Sequence, residues 1–313
     1  MIIFGPVPSR RLGNSLGINT IPPKICSYSC MYCQLGRTHD MQVKRQPFYQ
    51  PDTIMHAVKQ KVTECKQKEV PLDYLTFVPD GEPTLDINLG KEIDLVSSLD
   101  LGIKIAVITN SSLIDKEDVK TELCKADWVS VKIDAIHDVI WRKIDRPHGS
   151  LNYDKIKQGL VDFSNRFTGE LVTETMLVHG VNVEPNKLVQ VADFIAELHP
   201  AKSYLSIPIR PPAEQKIQAA FASELITAYQ IFKDRDIDAE YLIGYEGNAF
   251  ASTGNVEEDL LSITSVHPMR EDAVEEMLQK ANVSWDYVQQ LIAQDKLLQV
   301  DYNHKKFYMI KLQ

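Results

Sequence analysis

The chain lacks any long apolar run. Nowhere do its 313 residues approach the roughly 18 to 20 uninterrupted apolar positions that a membrane-spanning helix needs. The apolar part of MIIFGPVPSRR is also too short for a secretion signal, so a cytoplasmic location without membrane contact is expected. Cysteine is scarce, five in all, and three of the five fall within CSYSCMYC, residues 26–33. In a reducing compartment such a cluster points to metal binding or catalysis rather than to a disulfide framework. Cys65 and Cys124 stand alone and are expected to be inert. Positive charge is in deficit, with a formal net charge of -9, which argues against general affinity for nucleic acid. The deficit is uneven. Residues 1–48 carry Arg10, Arg11, Lys24, Arg37, Lys44 and Arg45 against Asp40, a formal charge of +5, so the thiols sit in the basic part of an acidic protein.

Neither a low-complexity tract nor a fixed-period repeat is present. What fills the first 245 residues is an alternation of β-branched runs with amphipathic stretches, the pattern of repeated βα units on a parallel sheet. The spacing predicts strands at 15–20, 73–78, 104–109, 128–133, 171–178 and 203–209, with a further one at 239–244. Helices are predicted over 53–66, 87–99, 153–163, 185–198 and 214–232. Six such units suit a partial barrel or an open doubly wound sheet, and both place function in the loops after the strand C-termini. GNAFASTGNVEED is small and polar, so residues 1–246 are expected to form one domain, 247–265 a linker and 266–313 a second domain. In the last segment Pro268 opens a helix with the apolar stripe Ala273, Val274, Met277 and Leu278, and Ser284 caps a second helix. A hairpin turning at Asn303 and His304 completes a winged-helix-like arrangement. The second helix, Ser284 to Asp295, has no basic residue, so DNA binding is not expected of it.

Three cysteines spaced CxxxCxxC suit zinc, with a histidine such as His39 as fourth ligand, or three irons of a 4Fe-4S cluster with the fourth iron open. A closed zinc site needs no companions, whereas an open iron needs binding groups for what it engages. Such groups are present. Cys26-Ser-Tyr-Ser-Cys30-Met-Tyr32-Cys33 resembles the signature of the radical S-adenosylmethionine superfamily. At the end of the second predicted strand, PDGEP is similar to that family's glycine-rich GGEP motif, with Asp80 in place of the first glycine, and TNSS after the third resembles its TNG segment. The resemblance covers roughly residues 5 to 240 and implies a partial (βα)6 TIM-like barrel. It further implies a 4Fe-4S cluster on Cys26, Cys30 and Cys33, with S-adenosylmethionine chelating the open iron. Gly81 and Glu82 would receive the amino group of S-adenosylmethionine, with Asp80 beside them. Asn110 would lie near the ribose, and Tyr32 would pack near the adenine or the cluster loop. Reductive cleavage of the cofactor to a 5'-deoxyadenosyl radical is the implied chemistry. GPVPSRRLGNSLGIN and QLGRT narrow the likeness to a subgroup that includes the tRNA wyosine-base synthases.

Strand-end position selects further candidates. Lys132 and Asp134 share one face of the fourth predicted strand, where a cofactor carboxylate or substrate group would be met. Arg10, Arg11 and Arg37 suit a carboxylate or phosphate of substrate or cofactor. Thr173 and Thr175 on the fifth predicted strand, and Arg210 in PIRPP after the sixth, are further substrate-side candidates. Tyr245 and Glu246 are placed to close the open side of the barrel. Without a flavodoxin-like domain or a second cysteine set in the sequence, electrons are expected from a separate flavodoxin or ferredoxin. Three functions fit: a radical enzyme acting on a peptide or protein side chain or a small metabolite, an RNA-modifying enzyme of wyosine type, and an iron-sulfur regulator acting through the winged helix. DGEPT argues against the last, since a sensor needs no site for the amino group of S-adenosylmethionine.

Overall fold

The computed structural model describes residues 2–78, 80–244, 256–266 and 268–311. Its main sheet comprises β1 (Ile3–Ser9), β2 (Gly13–Ile18), β3 (Tyr74–Phe77), β4 (Lys104–Thr109), β5 (Trp128–Lys132), β6 (Glu170–Met176), β7 (Lys202–Ser206) and β8 (Ala239–Leu242). The strands lie side by side in chain order. β1 pairs antiparallel with β2, and each later neighbour pair is parallel. The crossovers are helical: α1 (Pro51–Gln67), α2 (Leu89–Ser97), α3 (Glu117–Leu123), α4 (Asp138–Ile144), α5 (Tyr153–Ser164), α6 (Pro185–Glu197) and α7 (Ala222–Lys233). A doubly wound sheet would reverse its strand order at a switch point. Here the order never reverses, so the sheet curls in one sense as a partial TIM-like barrel.

The expected strands are present, and the sheet has an additional edge, β1. Its sequence IFGPVPS reads poorly as a strand because Pro6 and Pro8 cannot donate to a ladder, a defect that an edge position tolerates. Pairing with β2 is correspondingly irregular between Phe4 and Val7. α7 begins at Ala222 rather than at 214, because the preceding residues are held as a non-helical segment, with Glu214 N bonded to Met31 O and Ala220 N to Leu177 O. Residues 256–266, expected to belong to a linker, form helix α8 (Val256–Val266), whose Val256, Leu260 and Ile263 are buried. Tyr245, Glu246 and residues 247–255 lie outside the described residues.

Side chains alternate across the strands as a period of two demands. Ile105, Val107, Val129, Val131, Leu171 and Leu205 join the core beneath the helices. Ala106, Trp128, Val172 and Tyr204 point the other way and pack with Leu12 and Leu242 as a plug inside the barrel. The cavity that holds the cysteines lies beyond that plug, at the strand C-termini. After α8 come β9 (Met269–Arg270), α9 (Glu271–Lys280), α10 (Asp286–Ala293), β10 (Leu297–Tyr302) and β11 (Lys305–Ile310). The three strands form a small antiparallel sheet. Asn303 and His304 both have positive φ, the pair of left-handed residues that a tight hairpin requires. This C-terminal unit touches the barrel through Val7, and through the Tyr302 hydroxyl, which donates to Pro208 O at 3.0 Å. Among the described residues no helix is long and apolar enough to cross a membrane.

Trp128 is fully buried in the plug, and removing its ring leaves a void that fixed strands cannot close. Trp128→Ala should lower unfolding free energy by about 3–5 kcal/mol, read as a lower urea midpoint with an unchanged slope.

Candidate functional site

Cys26, Cys30 and Cys33 line one cavity of about 340 Å³ at the strand C-termini. Tyr32, Gly81, Glu82, Asn110, Lys132, Glu174, Arg10, Arg11 and Arg210 share its walls. The cysteine loop takes its shape from neighbours. Tyr28 is buried against Trp141 with ring centroids 5.8 Å apart, and Trp141 Nε1 donates to the Tyr28 hydroxyl at 3.2 Å. Backbone bonds Met31 N to Ile144 O (2.9 Å), Ser29 N to Asp145 O (3.1 Å) and His148 N to Ser27 O (2.8 Å) fasten the loop to the segment after α4. On its other side the loop is fixed to the Asp80–Glu82 turn by Lys24 N to Asp80 O (2.8 Å) and Glu82 N to Ile25 O (3.3 Å). The approach is so close that a Cβ on Gly81 would lie 1.8 Å from Ile25 O. Only glycine fits there.

Glu82 is buried, and its Oε1 accepts from Thr84 N (3.0 Å), Thr84 Oγ1 (2.7 Å) and Thr109 Oγ1 (2.5 Å). Oε2 accepts from Asn110 N at 2.7 Å, which leaves it lone-pair capacity at the cavity wall. Asn110 Nδ2 donates to Ser27 Oγ at 3.0 Å and to Cys26 Sγ at 3.5 Å. Lys132 Nζ lies 2.8 Å from Glu174 Oε1, 4.0 Å from Asp134 Oδ1 and 4.9 Å from the Tyr32 ring centroid. Arg11 bonds the other oxygen of Glu174. Burial pushes the Glu174 carboxyl up, but Lys132 and Arg11 outweigh it and hold the group at about 2. Burial likewise opposes the charge on Lys132, and Asp134 and Glu174 prevail, so its ammonium is held above the usual lysine range.

Several candidates stand elsewhere than expected. Thr173 and Thr175 face away from the cavity: Thr173 Oγ1 donates to Ser203 Oγ (2.7 Å) and Thr175 Oγ1 to Ile133 O (2.8 Å). Strand alternation then points Glu174, between them, inward. Arg37 is on the surface, its side chain 70% exposed and paired with Glu214 at 2.8 Å. Asp80 is absent from the cysteine-lined wall and borders an adjoining cavity of about 170 Å³, where Asn19 Nδ2 donates to it at 3.1 Å. Burial raises the Asp80 carboxyl to about 7 against the pull of Asn19 and Lys24. Asp134 lies behind the wall, accepting from the Tyr32 hydroxyl and from Met176 N (2.6 Å). His39 is not among the residues that line the cysteine cavity.

Sequence reasoning missed Glu174, Asp145 and Lys24. Asp145 accepts from the Tyr32 hydroxyl at 3.0 Å and lies 3.5 Å from Cys30 Sγ. Lys24 is buried beside Cys33 and Asp80, and its amine is lowered chiefly by burial. The charged residue in ELVTETM, a strand otherwise apolar or hydroxylic, was the available signal for Glu174.

Residues 20–192 match the family model described as the Radical SAM superfamily. The chain belongs to that superfamily. It is 46% identical to the UPF0026 protein MJ1312 of Methanocaldococcus jannaschii over 98% of this chain and 95% of that one. A UPF0026 protein of Helicobacter pylori is 34% identical over 67% of each chain. Among solved structures, TYW1 with a lysine-pyruvate adduct bound shares the fold, with a TM-score of 0.54 and 16% identity over 72% of this chain and 75% of that one. Radical SAM enzymes carry a 4Fe-4S cluster and bind S-adenosylmethionine, and the present residues fit both. Burial raises all three thiols, Cys26 to about 12, which is the opposite of an activated nucleophile. Such thiols lose their protons to a cationic, soft metal partner that supplies the missing charge.

The Gly81 contact gives a direct test. Overpacking of this kind costs about 1–3 kcal/mol, so Gly81→Ala should weaken S-adenosylmethionine binding by about 5- to 150-fold in equilibrium dialysis of the iron-loaded protein, with little change in its circular dichroism spectrum.

Proposed function

We propose that this radical SAM enzyme acts on a peptide or protein side chain or a small metabolite, with Arg10, Arg11 and Arg210 on the substrate side. The observation that carries the reading is the shared cavity: three thiols, the Gly81–Glu82 turn, Asn110 and Lys132 open onto the same space as these arginines. Cys26, Cys30 and Cys33 would hold the cluster. When bound, the cluster supplies the electron that cleaves the carbon-sulfur bond of S-adenosylmethionine into methionine and a 5'-deoxyadenosyl radical. Gly81 and Glu82 receive the amino group of S-adenosylmethionine, and Asn110 orients its ribose. Tyr32, held by Asp134 and Asp145, packs near the adenine. Arg210 Nη1 donates to Gln34 Oε1 at 3.0 Å, which ties the substrate loop to the residue after Cys33.

The small adjoining cavity favours a side chain or metabolite over a base with its sugar, because ligand pockets for larger molecules run to about 300–1,000 Å³. The RNA-modifying alternative of wyosine type draws on the likeness to TYW1, whose structure holds a lysine-pyruvate adduct. Lys132 is the lysine that lines this cavity among the described residues, and Asp134 and Glu174 keep it protonated. A protonated amine does not attack a carbonyl, which weighs against the same adduct here. An iron-sulfur regulator is the least supported reading, because it leaves the Gly81–Glu82 turn without a role. The helix-helix-hairpin unit after α8 suits a winged-helix-like module for protein docking, and a cytoplasmic setting with an external flavodoxin or ferredoxin completes the proposal.

Anaerobic reconstitution with iron and sulfide, then dithionite and S-adenosylmethionine, should yield 5'-deoxyadenosine by mass spectrometry. Cys30→Ala should abolish it. Addition of fractionated peptides or metabolites, but not RNA, should raise the yield. Stimulation by RNA alone would favour the base-modifying alternative.

A further inference from the structure

The cysteine loop is a thin wall with a different environment on each side. Cys30 and Cys33 line the inner cavity, whereas Met31, between them, lines a separate outer cleft of about 360 Å³. Met31, Ile144 and Val178 form a small apolar cluster with Tyr32, Met176, Val181 and Ile217 packed against it. The outer cleft is further lined by Arg146, His179, Glu214 and Lys216. Glu214 sits directly over the wall, its N donating to Met31 O at 3.0 Å. Its carboxylate bridges Arg146 (2.6 Å) and Arg37 (2.8 Å), which fixes both guanidinium groups beside the cleft. Lys143 reaches the same rim, with Nζ 3.4 Å from Gly180 O, and Lys216 is exposed. Glu224 also reaches the cleft through His179 at 2.8 Å, so among the described residues named here four cations stand against two carboxylates, Glu214 and Glu224, on a protein whose net charge is -9.

A local positive field on an acidic surface steers acidic partners to one place and repels them elsewhere. The place it selects lies at Met31, one residue from Cys30 and two from Cys33. Arg37 and Arg146, which do not reach the inner cavity, gain a role in this field. We infer that the cleft outside Met31 is the docking face for an acidic one-electron carrier protein. Resting on the proposed external electron supply, the assignment has the reduced carrier give one electron through the Cys30–Cys33 wall. The carrier is oxidised by one electron, the cluster is reduced by one, and no proton or leaving group is involved. The inner cavity stays free for S-adenosylmethionine and substrate, so reduction and chemistry use opposite faces of one loop.

The test is stopped-flow absorbance of the iron-loaded protein mixed anaerobically with reduced flavodoxin, an acidic one-electron carrier, over a range of salt. The wild type should be reduced at a rate that falls as salt rises, and the Arg37→Glu/Lys216→Glu double variant about 10-fold or more slowly at low salt. Dithionite should reduce both at similar rates, which separates a docking defect from a damaged cluster. Lys305→Glu/Lys306→Glu changes the net charge equally at the C-terminal hairpin and should stay near the wild-type rate. The inference is overturned if flavodoxin fails to reduce the wild type, if the rate ignores salt, or if both double variants slow alike. A protein that loads its cluster and is reduced in this way but forms no 5'-deoxyadenosine would instead contradict the proposed reaction and leave the docking face standing.

Discussion

The cysteine loop cannot hold its own shape, and the site depends on what holds it. The run of three thiols holds only the two-residue strand Ile25–Cys26, paired with Asp40–Met41, to position them. One clamp is aromatic and backbone contact with the segment after α4, through Tyr28, Trp141, Ile144 and Asp145. The other is the near-contact of Gly81 with Ile25 O, which sets the loop against the end of β3. Both clamps hang from strand ends, so the curvature of the barrel is passed directly to the thiols. A site built on such rigid supports keeps its geometry better than one left to a free loop.

Electrostatics organise the interior in a similar way. Glu174 answers both Lys132 and Arg11, and a carboxylate that stays ionised down to about 2 keeps both cations charged and placed. A buried ion pair of this sort is a poor source of net stability, because desolvation offsets attraction. Its value here is positional. Outside the loop, the cations around Glu214 do the complementary task of attracting a partner without entering the reaction space.

Much of this was legible in the sequence. CxxxCxxC and DGEPT marked three thiols and a glycine turn that the fold brings to one cavity, and the βα rhythm marked the parallel sheet, while the partial barrel was implied only by the family resemblance. Strand alternation is equally local, but its phase is set by the packed barrel: Glu174 faces the cavity, and Thr173 and Thr175 bond Ser203 and Ile133 on the other face. β1 was hidden by its prolines, which signal against a strand unless an edge position is known. Arg37 looked like a site residue because it follows the cysteines in sequence, but the loop turns it outward. Asp145 and Lys24 were not legible, as their importance comes from burial beside thiols that only the folded chain brings near.

The proposed chemistry stands on three thiols that hold a 4Fe-4S cluster whose open iron engages S-adenosylmethionine. The most direct measurement is electron paramagnetic resonance of the anaerobically loaded, reduced protein, recorded before and after adding S-adenosylmethionine. A reduced 4Fe-4S signal that shifts on addition is the predicted result, because a new ligand on one iron changes the electronic environment of the whole cluster. A spectrum indifferent to S-adenosylmethionine, or a protein that retains zinc in place of iron, would contradict the account.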